Sequence, residues 1–203
     1  MLKGMQRLEK RDDCRKPITL DLLNNIVHIL PHIAFSTYEV ALFSAAFTLV
    51  FFAFLRVGEF AESGLYVRHI LCRSDLLIIY ERNIMHVTLR SSKTDQLGHK
   101  TQLEVSKHKN DSVCPISNMQ SYLDVRPNIE GTLFCHLNGK PLSRYQVSTM
   151  LTKAIRFIGL NDEEYNTHSF RIGAATTASL MGNKGNNKIT ELRTILQRES
   201  QNS

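Results

Sequence analysis

The chain has 203 residues, 42% of them hydrophobic and 22% charged, which fits a globular protein able to bury a core as one large domain or two small ones. Its formal net charge is +6 and its pI near 9.2, so an anionic partner is favoured over a basic one. Nucleic acid or an acidic membrane surface is favoured as the other half of an interaction, although the same charge would also serve solubility alone. Cys14, Cys72, Cys114 and Cys135 are scattered without C-x-x-C spacing, which argues against a zinc site or a disulfide framework. Met1 to Arg7 lacks the apolar segment of a signal peptide.

Residues 1–16 are polar and basic and read as a linker or tail. Thr19 is an N-cap for a helix carried by Leu22, Leu23, Ile26, Ile29 and Leu30, with Asp21 in its first turn and Pro31 as its expected stop. A second helix is expected over Glu39 to Leu55. Val40 to Leu55 is uncharged but shorter than the roughly 20 residues of a membrane span, so a buried core helix is expected rather than a crossing. Arg56 closes this stretch. It would either complement the helix dipole at a C-terminus or stand as a fixed guanidinium at the edge of the core, with Glu59 near enough to orient it.

Three strand-like runs follow: Asp75 to Arg82, His86 to Ser92 and Thr101 to Lys107, the last two alternating apolar and polar. A polar loop, 93–100, joins them, so a three-stranded antiparallel sheet is expected with Lys93 at a hairpin mouth. Cys114-Pro115 opens a helix that Pro127 stops. Thr132 to Cys135 is a short segment, and Asn138-Gly139 a turn. Ser143 caps a further helix that Gly159 ends. The stretch Asn161 to Asn166 leads to Thr167-His168-Ser169-Phe170-Arg171 and a run of small residues, Gly173, Ala174, Ala175, Ala178 and Ser179. That pattern describes a buried helix which another backbone approaches closely, with an imidazole and a guanidinium one turn apart at its N-terminal end. Helix amides and an arginine fork together suit a phosphate. His-x-x-Arg by itself equally describes a capped surface helix. Residues 183–203 change character and read as a divergent tail.

The order of these motifs carries more than any one of them. Leu55-Arg56-Val57-Gly58-Glu59, then Ser92-Lys93-Thr94-Asp95, then His168-Ser169-Phe170-Arg171-Ile172-Gly173-Ala174-Ala175-Thr176 together resemble the catalytic domain of tyrosine recombinases, the phage-integrase family, over roughly residues 17–182. The flavour is closest to recombinases of eukaryotic mobile elements of the Crypton and DIRS-like kind. The resemblance implies an α+β fold, mainly α-helical: an integrase-like catalytic core with a small three-stranded antiparallel sheet. It implies DNA as the partner, a homo-oligomer assembled on that DNA, no membrane, nuclear (or cytoplasmic) residence, and neither a metal nor a small-molecule cofactor. Residues 1–16 would then be the tail of a missing N-terminal DNA-binding domain.

In that family a tyrosine attacks a DNA phosphodiester, leaving a 3′-phosphotyrosine and expelling a 5′-hydroxyl. By resemblance Arg56 and Arg171 would clamp the non-bridging oxygens, Lys93 would protonate the leaving oxygen, and His168 would exchange a proton with the nucleophile. Glu59 would support Arg56. The chain also departs from the pattern. Ile189-Thr190-Glu191-Leu192 starts the family's next motif, but Arg193-Thr194-Ile195 follows where a second His or Trp belongs. No tyrosine follows Tyr165, itself a packing residue by its position, so the nucleophile is absent. A recombinase core inactive alone is the first expectation. A domesticated, non-catalytic DNA-binding or protein-interaction domain is the other.

Overall fold

A computed structural model describes residues 15–64, 70–90 and 101–182; the side chains of Met181 and Gly182 lie outside the description. Helix α1 spans Leu20–Ile33 and α2 Thr37–Phe52, followed by the single turn α3, Val57–Phe60. Strands β1, β2 and β3 are Leu76–Ile79, Ile84–Leu89 and Thr101–Ser106. Helices α4 (Pro115–Val125), α5 (Arg144–Phe157) and α6 (Ser169–Gly182) complete the order.

The sheet is an antiparallel meander in the order β1-β2-β3. Leu76 stands opposite Val87, and Met85 opposite Val105, which puts Leu76, Met85, Val87 and Val105 on the buried face. His86 and Glu104 face each other across β2 and β3 at 3.6 Å. An α+β architecture, mainly helical with this small sheet, is therefore what the chain adopts.

Helix α2 forms the middle of the core. Eleven of its side chains are buried, from Tyr38 to Phe51, because it is apolar on every face rather than on one stripe. Its two central polar groups do not contradict this burial: the Thr48 hydroxyl donates to the Ser44 carbonyl at 2.7 Å. Each fully buried Phe or Leu here contributes about 1.5–3 kcal/mol of transfer free energy. Among the described residues no helix is long and apolar enough to cross a membrane.

Several boundaries differ from expectation. Pro31 does not stop α1. A proline withholds one amide from the helical ladder, and so near the end that loss is small; the Ala34 amide still donates to the Leu30 carbonyl at 2.9 Å. The first strand ends at Ile79 because Tyr80–Arg82 closes a 3₁₀ turn onto Asn83, which takes a left-handed φ of 53°. Helix α2 ends at Phe52, not Leu55, and Arg56 is not at its C-terminus. Arg56 lies one turn later as the extended residue before α3. Lys93, the 1–14 segment and the 183–203 tail lie outside the described residues.

Candidate functional site

The end of α2 sets the geometry. Ala53 caps the helix, and Phe54 enters the left-handed region at φ 54°, which costs a non-glycine residue about 1–2 kcal/mol. Its amide donates to the Phe51 carbonyl at 3.4 Å, and the Leu55 amide reaches back to Val50 at 3.1 Å. These two bonds form a Schellman closure with Phe where glycine is usual. The chain leaves the helix sharply and delivers Arg56 to the surface, its side chain 37% exposed.

Glu59 fixes that arginine. One oxygen of its carboxylate accepts the Arg56 amide at 2.7 Å, and the other stands 3.6 Å from Arg56 Nη1. With its own side chain only 12% exposed, Glu59 restricts the guanidinium without covering it. Glu59, expected to lie beside Arg56, meets it through both a backbone and a side-chain contact.

Helix α6 arrives from 117 residues away. Phe170, fully buried, stacks on Phe47 of α2 with ring centroids 5.2 Å apart. That anchor lets the next residue reach along the end of α2, where Arg171 Nη1 donates to the Phe54 carbonyl at 3.2 Å. The structure therefore brings the second arginine onto the turn that carries the first. His168 is the exposed residue just before α6, and its carbonyl accepts the Arg171 and Ile172 amides at 3.0 and 3.2 Å. The helix begins at Ser169, so His168 stands at its cap and not inside it.

What seats α6 is the small-residue run. A Cβ on Gly173 would lie 1.7 Å from the Ile18 carbonyl oxygen, so no larger residue fits without moving backbone. The Ile18 amide donates to the Ser169 carbonyl at 3.0 Å, and the Lys16 ammonium pairs with Glu164 at 2.7 Å. That pairing raises the Lys16 pKa, chiefly through the hydrogen bond. Before the helix, the Asn166 side chain accepts the His168 amide at 2.8 Å and the Ser169 hydroxyl accepts the Asn166 amide at 3.1 Å. The loop is thereby fixed on both sides of His168. Tyr165 packs against the core, in keeping with its reading as a packing residue.

One neighbour was missed by sequence reasoning. Arg144, the exposed first residue of α5, lays its guanidinium over Gly58: a Cβ there would lie 2.0 Å from Arg144 Nη2. The glycine in Leu-Arg-x-Gly-Glu is the only sequence signal, and it does not name its partner. Three guanidiniums thus border one turn, Arg56 within it, Arg171 on its leading carbonyl and Arg144 across Gly58. Forked guanidinium donors suit the non-bridging oxygens of a phosphate. Among the described residues no group of three or more His, Cys, Asp or Glu side chains is placed to hold a metal ion.

The fold has known counterparts. A site-specific recombinase, XerH, bound to its difH substrate superposes with a TM-score of 0.59 at 16% identity, covering 84% of this chain and 45% of that one. The fold is that of the tyrosine recombinases. A lambda integrase dimer bound to a COC′ core site gives 0.56 at 19% identity over 79% of this chain and 40% of the other. The Tn1549 transposon integrase in complex with transposon right end DNA gives 0.51 at 14% identity, covering 82% and 54%. In sequence, an integrase/recombinase xerD homolog of Selenomonas ruminantium is 27% identical over 99 residues, 46% of this chain and 29% of that protein. The chain thus spans about half or less of the length of these recombinases. No protein-family profile matches it.

Proposed function

We propose that this chain is a tyrosine-recombinase-like core that grips the DNA backbone, and that it does not cut DNA unaided. The observation that carries this reading is the bond from Arg171 to the Phe54 carbonyl, which joins the His-x-x-Arg helix to the Arg56 turn. Recombinases of the same fold are bound to DNA in their own structures, and the net charge of +6 has the sign such a partner needs. Arg56 and Arg171 hold the non-bridging oxygens of one phosphate and oppose the charge that grows on it during displacement. His168, at the mouth of the same helix, exchanges a proton with an attacking hydroxyl. Lys93 protonates the leaving 5′-oxygen.

Among these 203 residues no tyrosine follows Tyr165, so a nucleophile in the family's position would come from sequence beyond them or from another chain. Removing one member of a catalytic unit that acts together costs on the order of 10⁶-fold in rate in a well-studied hydrolase. This chain alone therefore binds without cleaving, by descent from enzymes that integrate or recombine mobile DNA. The test is incubation with a nicked duplex, followed by denaturing electrophoresis and a binding titration over salt. The expected outcome is salt-sensitive binding without a covalent protein–DNA adduct. An adduct formed by this chain alone would expose a nucleophile elsewhere in it, and no binding at low salt would remove DNA as the partner.

A further inference from the structure

A second group of arginines lies outside the turn just described. Arg73, Arg90 and Arg126 line one cavity of about 790 Å³, together with Cys72, Ser74 and the 127–131 loop. Arg126 is spent on the fold: its guanidinium donates to the carbonyls of Pro127, Ile129, Thr132 and Leu133 at 2.9–3.0 Å. The other two are held but not consumed. Arg90 Nε pairs with Asp75 at 2.8 Å and its Nη2 donates to the Ser74 hydroxyl at 3.1 Å. Arg73 Nη1 donates to the Leu76 carbonyl at 3.2 Å. A guanidinium carries five N–H donors, so Arg73 and Arg90, which line the cavity, keep donors beyond the bonds just named. The carboxylates here are Asp75, 7% exposed and already paired, and Glu130, an exposed residue of the lining.

Position argues for what the cavity takes. Cys72, in the cavity lining, follows Leu71, whose amide donates to the Glu59 carbonyl at 2.7 Å, so this side of the cavity is joined to the turn that holds Arg56. Arg90 is the first residue after β2 and three residues before Lys93. Arg73, just before β1, and Arg90, just after the antiparallel β2, therefore stand at one end of the sheet. Arginines preorganised by protein partners lose little freedom on binding, which is what a backbone-reading contact requires.

We propose that the Arg73–Arg90 cavity binds a second phosphate of the DNA backbone, separate from the one held by Arg56 and Arg171. The proposal rests on DNA being the partner, and the experiment separates its failure from the failure of that reading. Binding of a short mixed-sequence duplex is titrated across roughly 50 to 200 mM salt for the full chain, for Arg73→Gln, and for Ser74→Glu, with thermal unfolding as the fold control. Ser74→Glu keeps Arg90 paired while placing a carboxylate where the phosphate would sit, so it does not depend on breaking the Asp75 contact. Each variant is expected to unfold at the wild-type temperature and to flatten the slope of log affinity against log salt by about one unit, equally for unrelated sequences.

If wild type and variants share one slope and one affinity, the cavity proposal falls and the DNA reading stands. If wild type itself does not bind, both fall. If a polyglutamate peptide binds wild type but not the variants, while duplex binding is the same in all, the cavity serves an acidic protein segment and the proposal is overturned.

Discussion

Helices α2 and α5 end with the same hydrogen bonds and different residues. At the end of α5 the Gly159 amide donates to Arg156 and the Leu160 amide to Ile155, with Gly159 at φ 84°. At the end of α2 the same two closures form around Phe54 at φ 54°. Glycine takes that conformation freely, whereas phenylalanine takes it only where the surroundings impose it. At α5 the closure ends the helix at its glycine. At α2 the strained carbonyl receives Arg171 from the far end of the sequence. Strain thus coincides with the candidate site, and the ordinary cap does not.

The largest blow to the α2 side should come from Gly173→Val. Its side chain would be driven into the Ile18 carbonyl, against backbone that has no flexible end to yield. We expect a loss of about 3 kcal/mol in urea unfolding, together with loss of DNA affinity as α6 lifts Arg171 from Phe54. By contrast Gly58→Ala meets only the mobile tip of Arg144, and stability should stay within about 0.5 kcal/mol of wild type. Equal losses in both would show that the α1–α6 contact is no tighter than the arginine contact.

Next in size is Arg171→Ala, which removes a charge-assisted donor from the site. Affinity for duplex DNA should fall about tenfold or more by fluorescence anisotropy, with a smaller change in unfolding midpoint. The α5 end supplies the control. Gly159→Ala forces a Cβ into the left-handed region, so it should cost about 1 kcal/mol of stability and leave DNA binding unchanged. A binding defect in Gly159→Ala would remove the distinction between the two ends.

The smallest effect is electrostatic. Arg156, in the last turn of α5, donates to Asp162 at 2.9 Å, and this bond holds the Asp162 carboxyl below its ordinary value. A depressed folded pKa contributes stability above the unfolded value and loses it as pH falls through the folded one. The difference in urea midpoint between wild type and Arg156→Gln should therefore be slight near neutrality and close on acidification. Arg156 is exposed and Asp162 partly so, and added salt should shrink the difference further.

The same pair of helix ends explains what the sequence disclosed. Gly159 announces its own stop, and α5 was legible from Ser143 to that glycine because Ser143 and Gln146 cap each other reciprocally. Phe54 announces nothing, so the apolar run reads on to Leu55 and hides the turn that frees Arg56. Pro31 misleads in the other direction, since a missing amide in the last turn breaks little. Gly173 was readable as a close-approach residue, although only the fold names Ile18 as what approaches. Motif order brought Arg56, Glu59, His168 and Arg171 into view, because each lies in a short local pattern. Arg144, Arg73 and Arg90 lie in no such pattern and are brought to their places by the chain's path alone.

The account depends on Arg56 and Arg171 acting on one phosphate, and a double-mutant cycle measures that directly. Duplex affinity is compared for wild type, Arg56→Ala, Arg171→Ala and the pair. Two arginines on one anion should couple, so the double variant is expected to bind only slightly less well than the weaker single variant. Strictly additive losses would mean that the two guanidiniums touch DNA at independent places, contrary to a shared clamp.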